Sequence, residues 1–108
     1  SSFGGIIDMI KIIELSNKKN VKVSPHCWNS MSIAASAMIH LCMSFPNTEM
    51  AEFFPEYIAY TLKFYNKNFE INKGFVELEN REGLGVNIDT NLLMENTSSY
   101  KFSILNKN

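Results

Sequence analysis

Near the start of the chain, apolar side chains recur at every third or fourth position, a spacing that is typical of a helix. The segment runs from Ile6 to Leu15, and polar residues 16–20 follow with a basic last turn, as helix C-termini prefer. The positions that share its apolar face are Ile6, Met9, Ile10 and Ile13. The pattern predicts an amphipathic helix that packs one side against a core.

A second helix is predicted before Pro46, where the chain cannot continue in helical form. Its apolar stripe consists of Ile33, Ala34, Ala37, Met38, Leu41, Cys42 and Phe45. The residues suited to cap its N-terminus are Asn29, Ser30 and Ser32. Ser36 and His40 belong to a separate polar stripe, so we expect His40 on a solvated or locally hydrogen-bonded face.

Two short runs predict strands. The first, Val21 to Ser24, is rich in β-branched residues and stops at Pro25, and the second, residues 49–54, stops before Pro55. The order helix, strand, helix, strand favours parallel strands joined by right-handed crossovers, with helices covering the sheet. The chain is therefore predicted to be of the α/β class.

The remaining chain predicts smaller elements. Residues 57–65 fit both a strand and a helix, and the pattern leaves the choice open. The later elements are a hairpin of residues 69–71 and 75–78 around Asn72-Lys73-Gly74, a turn at 83–85, and a short helix capped by Asp89 or Thr90. A polar tail follows over residues 96–108.

Composition narrows the functional class. The chain has 108 residues, 45% hydrophobic and 19% charged, so disorder, collagen and coiled coil are excluded for the chain as a whole. A net charge of −1 argues against nucleic acid and anionic membranes as partners. The sequence contains no secretory signal, and no apolar run approaches the ~20 residues that span a bilayer. Its only cysteines are Cys27 and Cys42, too few for a disulfide framework. We therefore expect a cytoplasmic protein.

His26 is the first candidate for chemistry. It follows Pro25 at the C-terminal end of a predicted parallel strand, and in parallel α/β folds these ends form the functional rim. Histidine titrates near neutral pH, so it can accept or donate a proton. The structural alternative is a histidine that only caps the strand.

Glu52 is the second candidate, near the end of the next predicted strand and between Ala51 and Phe53. A carboxyl group among apolar neighbours can hold and donate a proton, although an outward-facing strand carboxylate is the simpler interpretation. Cys42 lies on an apolar stripe and is expected in the core. No cluster with metal-ligand spacing occurs, and no phosphate loop or nucleophile elbow is present.

Five short motifs occur in the order and spacing of one protein family. They are Gly4-Gly5-Ile6-Ile7, Val21-Lys22-Val23-Ser24-Pro25-His26-Cys27-Trp28, Glu49-Met50-Ala51-Glu52-Phe53, Asn72-Lys73-Gly74-Phe75-Val76 and Gly83-Leu84-Gly85-Val86. Over roughly residues 3–95 the chain resembles the C-terminal end of the enolase superfamily, in its mandelate racemase and muconate-lactonizing branch.

The resemblance implies an architecture. Residues 1–56 would form the last two βα units of a (β/α)7β TIM-like barrel, and residues 57–95 a return segment with a hairpin and a short helix. The polar tail of residues 96–108 would follow. Because a (β/α)8 barrel needs about 250 residues, the chain would form an incomplete barrel.

The resemblance also implies a reaction and its residues. Members of this branch bind Mg²⁺ and abstract the proton α to a carboxylate, for example as acid-sugar dehydratases or racemases, and the metal stabilises the enediolate. His26 corresponds to the histidine base at the end of the seventh strand. Glu52 corresponds to the glutamate at the end of the eighth strand that hydrogen-bonds the substrate carboxylate.

Other family positions precede these 108 residues. The three carboxylate metal ligands and the Lys-x-Lys motif lie on earlier strands, and the aspartate that orients the histidine lies a few residues before the Gly-Gly pair. The resemblance therefore predicts that this chain alone binds no Mg²⁺ and is inactive. Two hypotheses stay open: a C-terminal piece of a dehydratase or racemase, or a non-catalytic module that self-associates or joins the missing barrel portion through an unpaired strand edge.

Overall fold

The computed structural model describes residues 5–27, 32–66 and 69–96. In chain order the elements are α1 (Ile6–Lys18), α2 (Ser32–Ser44), α3 (Pro55–Thr61), β1 (Tyr65–Asn66), β2 (Phe69–Asn72), β3 (Phe75–Leu78), β4 (Asn87–Ile88) and α4 (Thr90–Glu95). β1 pairs antiparallel with β4, and β2 pairs antiparallel with β3. In the described ranges, no helix is long and apolar enough to cross a bilayer.

The first predicted helix forms and extends to Lys18 as α1. Ile13 is fully buried, whereas Ile6 is 45% exposed, so the predicted apolar face is buried mainly near the C-terminal end of the helix. Lys19 is the C-cap of the helix, and the next residue, Asn20, has a φ of 54° in the left-handed region. The Val21 N–H then donates to the Ser16 carbonyl at 2.9 Å, a pattern typical of a Schellman C-cap.

The buried face of α2 matches the predicted one only in part: Met38 and Leu41 are buried as expected, but the face is shifted. Ala35, Ser36 and Ile39 are at most 2% exposed, whereas Ile33 is 40% exposed. α2 carries apolar residues on every side, so their spacing alone could not select the face that packs. The Ser36 hydroxyl, predicted to lie on a polar face, donates to the Leu84 carbonyl at 2.7 Å and is satisfied by a tertiary contact.

The two strands predicted around α2 are extended segments that run parallel, as expected, but they do not form a regular sheet within the described chain. Within the described chain they share one parallel bridge, Val23 with Thr48, and no strand is assigned from Glu49 to Phe54. A β-strand requires several consecutive residues that pair with a neighbouring strand. Pro25 provides no N–H for such a ladder, and the pairing ends within a few residues.

The ambiguous stretch of residues 57–65 is helical up to Thr61, as the end of α3, and its last residue, Tyr65, begins β1. Pro55 occupies the first helical position of α3. The predicted hairpin is present, with Phe69 opposite Leu78. Its two-residue loop is Lys73-Gly74, at φ values of 50° and 84°. Two consecutive positive φ values are the signature of a type I′ turn, which matches the twist of the paired strands.

The short last helix also forms as predicted. Asp89 is its N-cap, and the side-chain Oδ1 accepts from the Leu92 backbone N–H at 3.0 Å. The proposed caps Asn29 and Ser30 of α2, and the tail from residue 97 onward, lie outside the described residues.

The core lies where α2, the hairpin and the second extended segment meet. Its buried members are Cys27, Ala35, Met38, Ile39 and Phe69. The Phe53 and Phe69 rings pack edge to face with centroids 5.6 Å apart. Ala51 and Phe53 also pack against this cluster, so the residues on both sides of Glu52 are anchored to the core.

Candidate active site

Asn47 joins α1 to the two extended segments that carry the candidate residues. Its side-chain Nδ2 donates to the Ile13 carbonyl at 3.0 Å and to the Val21 carbonyl at 3.3 Å. Its backbone carbonyl accepts from the Val23 N–H at 2.8 Å. Asn47 is only 8% exposed, so these directional bonds are shielded from water and hold the segments side by side.

Side chains continue the parallel register toward the C-terminal ends of both segments. Lys22 forms an exposed ion pair with Glu49. The Ser24 hydroxyl donates to the Met50 carbonyl at 2.9 Å. Lys22, Val23 and Ser24 therefore each have a partner on the second segment, although regular backbone pairing is limited to one bridge.

This register brings His26 and Glu52 together. His26 Nδ1 lies 2.7 Å from Glu52 Oε2, within hydrogen-bonding distance. The same Oε2 atom accepts from the Cys27 backbone N–H at 2.7 Å. The exposed fraction of the side chain is 66% for His26 and 34% for Glu52. The carboxylate is therefore the more buried of the two groups, and the imidazole faces solvent.

Two cavities adjoin the pair. One, of about 270 Å³, is lined by Ser24, Pro25, His26, Met50, Ala51 and Glu52. The other, of about 130 Å³, lies between α1 and α2, and its walls include Met9, Met38 and Leu41 as well as His26. The imidazole therefore lies between two cavities whose walls are both mostly apolar. Trp28, which follows Cys27 in the sequence, lies outside the described residues.

Both cysteines belong to the packed interior beside the site. Cys27 is a buried core member, and the Cys42 Sγ lies 3.6 Å from the Met38 Sδ. Burial raises the pKa of the Cys42 thiol above its ordinary value, and the neighbouring Cys27 adds to the increase. A raised pKa reduces the thiolate population, so Cys42 is suited to packing rather than to nucleophilic chemistry.

The described residues do not form a metal site. Nowhere in residues 5–27, 32–66 and 69–96 do three or more His, Cys, Asp or Glu side chains lie close enough to ligate an ion. Mg²⁺ is held in proteins by oxygen ligands, chiefly carboxylates, together with several bound waters.

Comparison with known proteins identifies the family. The sequence model of the family described as enolase C-terminal domain-like matches residues 1–92. The chain belongs to this family. A search of curated proteins finds no match.

A solved enolase from environmental shotgun sequencing of the Sargasso Sea has the same fold. The two proteins are 44% identical with a TM-score of 0.81, over 85% of this chain. The match spans only 24% of the solved protein, so the chain corresponds to about a quarter of that relative's length. These findings confirm the resemblance to the C-terminal end of the enolase superfamily that the motifs indicated.

Sequence reasoning named the two side chains that the fold brings together, although their roles remain predictions. It missed the Cys27 backbone N–H, which shares Oε2 with His26. No side-chain pattern can reveal such a donor, because every residue except proline has an N–H. His40 lies on α2, where its carbonyl accepts from the Ser44 hydroxyl at 2.7 Å.

Proposed function

We propose that this chain is the C-terminal part of a Mg²⁺-dependent enzyme that abstracts the proton α to the carboxylate of an acid sugar, as a dehydratase or racemase. In this proposal residues 1–56 supply the last two βα units of a (β/α)7β barrel, and His26 is the base. The metal ligands would come from earlier strands. Family membership and the match to a solved enolase support the class of enzyme.

The observation that carries the proposal is the contact between His26 Nδ1 and Glu52 Oε2 at 2.7 Å. A general base must be reachable by substrate, and the imidazole is 66% exposed beside a cavity of about 270 Å³. A base must also be held in one orientation, and the Glu52 carboxylate holds the His26 ring through this contact. The two groups lie at the C-terminal ends of two parallel segments, the position of catalytic groups in barrel enzymes.

The chemistry follows from these groups. The imidazole accepts the α-proton, and the electron pair of the broken C–H bond remains on the substrate. The resulting imidazolium is stabilised by the Glu52 carboxylate beside it. The other carboxylate oxygen, Oε1, makes no hydrogen bond to the described residues, so it can accept one from the substrate.

A chimera tests the role of His26. The matching segment of the Sargasso Sea enolase is replaced by this chain, and deuterium incorporation at the α-carbon of a panel of acid sugars is followed by NMR with Mg²⁺. Removing a general base usually costs about 10²–10⁴-fold in rate. We therefore expect His26→Asn to slow exchange by at least about 100-fold.

The matched control is His40→Asn, which changes the other histidine on the outer helix and should leave the exchange rate within about twofold. Equal rates for His26→Asn and the parent chimera would contradict the assignment of the base. A folded chimera that binds Mg²⁺ but exchanges no acid sugar would contradict the reaction class.

We also propose that α1 contacts the preceding part of the barrel. Ile7, Leu15 and Val21 are 68%, 60% and 52% exposed, and they lie on α1 and just after its end. Several large apolar side chains that remain exposed along one element are typical of an interaction surface. In the 108-residue chain alone this surface is uncovered, so we expect the chain to self-associate, which is also what a non-catalytic module would do.

Light scattering at micromolar concentration tests the surface. Leu15→Lys should shift the chain toward monomer, because it places a charge in the contact. Met94→Lys is the matched control, since Met94 is 68% exposed on α4. A monomeric wild-type chain, or equal effects of the two substitutions, would count against α1 as the interface.

A further inference from the structure

The second extended segment directs its side chains alternately to two sides. Ala51 and Phe53 pack against the core. Because successive side chains of an extended chain point to opposite sides, Met50 and Glu52 face away from that core. Met50 is 70% exposed and lies only two residues before the candidate carboxylate. A long apolar side chain therefore stands on the same face as Glu52.

The first extended segment alternates in the same way. Pro25 and Cys27 are buried, whereas Ser24 and His26 are exposed. The Ser24 hydroxyl donates to the Met50 carbonyl at 2.9 Å, so the exposed faces of the two segments lie side by side. The cavity of about 270 Å³ runs along both faces, and Met50 belongs to its wall together with Ser24 and His26.

Polar groups and apolar surface lie at different ends of this cavity. His26 and Glu52, in contact at 2.7 Å, provide its two titratable groups. Ser24 and Met50 precede them by two residues, which is about 6–7 Å along an extended chain. The proton of the Ser24 hydroxyl is already donated to the Met50 carbonyl. A carboxylic acid with its α-carbon at His26 therefore extends its chain toward Met50.

We infer that Met50 is a specificity-determining residue whose side chain limits the length of the substrate chain in this cavity. The inference rests on the proposed function in taking the substrate to be an acid sugar with its α-carbon at His26. The family resemblance assigns roles to His26 and Glu52 and none to Met50. A terminal hydroxyl pressed against a thioether loses water and gains only a weak acceptor, so a chain that is one carbon too long is disfavoured.

The matched variants are Met50→Ala and Met94→Ala. Met50→Ala removes the thioether and lengthens the cavity, whereas Met94 is 68% exposed on α4 and is not among the residues that line the cavity. One methylene in a pocket changes discrimination by about 10–200-fold, so Met50→Ala should shift the ratio of kcat/KM for six-carbon over five-carbon acid sugars upward by at least about 10-fold. Met94→Ala should leave this ratio within about twofold.

The exchange assay in the chimera with Mg²⁺ measures both constants. Met50 contacts the distal end of the substrate and not the reacting carbon, so Met50→Ala should raise KM for the five-carbon acid sugar and leave kcat within about twofold. A loss of kcat at both chain lengths with an unchanged ratio would contradict the inference.

Binding without turnover provides a second measurement. The chimera is labelled with ¹³C-methyl methionine, and the resonance that disappears in Met50→Leu identifies Met50. Titration with the five-carbon acid sugar should move this resonance in a saturable way and leave the resonance of Met94 in place.

Three outcomes would overturn the inference: an unchanged length ratio in Met50→Ala, an equal change in Met94→Ala, or a Met50 resonance that acid sugars do not move. A failure of the proposed function looks different. If the Met50 resonance moves on titration but no acid sugar exchanges its α-proton, the reaction is refuted and Met50 remains a substrate contact.

Discussion

Replacing Ile39 by alanine perturbs the contact between α2 and the rest of the core. Ile39 is 1% exposed and packs in the cluster that includes Cys27 and Phe69. Removing the side chain beyond Cβ loses about 2.4 kcal/mol of transfer free energy, at ~0.8 kcal/mol for each buried carbon. The cavity left behind adds to this, so we expect a total loss of about 3–4 kcal/mol in the free energy of unfolding.

Urea unfolding followed by circular dichroism measures this loss as a lower midpoint with an unchanged slope. The matched control is Ile33→Ala on the same helix, because Ile33 is 40% exposed and its truncation should cost less than about 1 kcal/mol. If the two variants lost the same stability, the buried face of α2 described above would be wrong. The packing of Ile39 in the same core cluster as Cys27, which lies beside the candidate site, would then also be unsupported.

Three other outcomes are expected. Gly74→Ala should lower the free energy of unfolding by about 1 kcal/mol in urea, because its φ of 84° disfavours a Cβ, whereas Lys73→Asn should be neutral or stabilising at a φ of 50°. Cys42 should react with iodoacetamide more slowly at mildly alkaline pH in the folded chain than in urea, as mass spectrometry can measure, because burial raises its pKa. The same raised pKa stabilises the fold below the pKa of the unfolded thiol, and this contribution is lost as pH rises through the folded pKa. The isolated 108-residue chain with Mg²⁺ should exchange no α-protons of acid sugars by NMR, and measurable deuteration would contradict this.

Local sequence signals predicted the elements that depend on neighbouring residues. The hairpin turn at Lys73-Gly74 and the cap at Asp89 are such cases, because turn geometry and capping involve only residues a few positions apart. Most of the ambiguous stretch belongs to α3, where Pro55 occupies a favoured first helical position, and its last residue, Tyr65, belongs to β1. Its hydrophobic spacing fitted both periodicities, so spacing could not decide.

Features that depend on distant residues were predicted less well. The polar stripe of α2 was expected to face away from the core, yet Ser36 is fully buried because Leu84, far along the chain, provides its acceptor. The expected strand over residues 49–54 is an extended segment, because a strand exists only through pairing with a neighbour.

By itself, the sequence determined the candidate chemistry, because His26 and Glu52 are identified as candidates by residue type and by their place at the ends of short extended runs. Its motifs determined the family. Tertiary structure alone decided how those side chains meet. The register of Val23 with Thr48 places Nδ1 of His26 on Oε2 of Glu52, and the Cys27 N–H fixes that oxygen. The physical reason is that residue type specifies which atoms can donate or accept, whereas distances between segments 25 residues apart are set by the packing that aligns them.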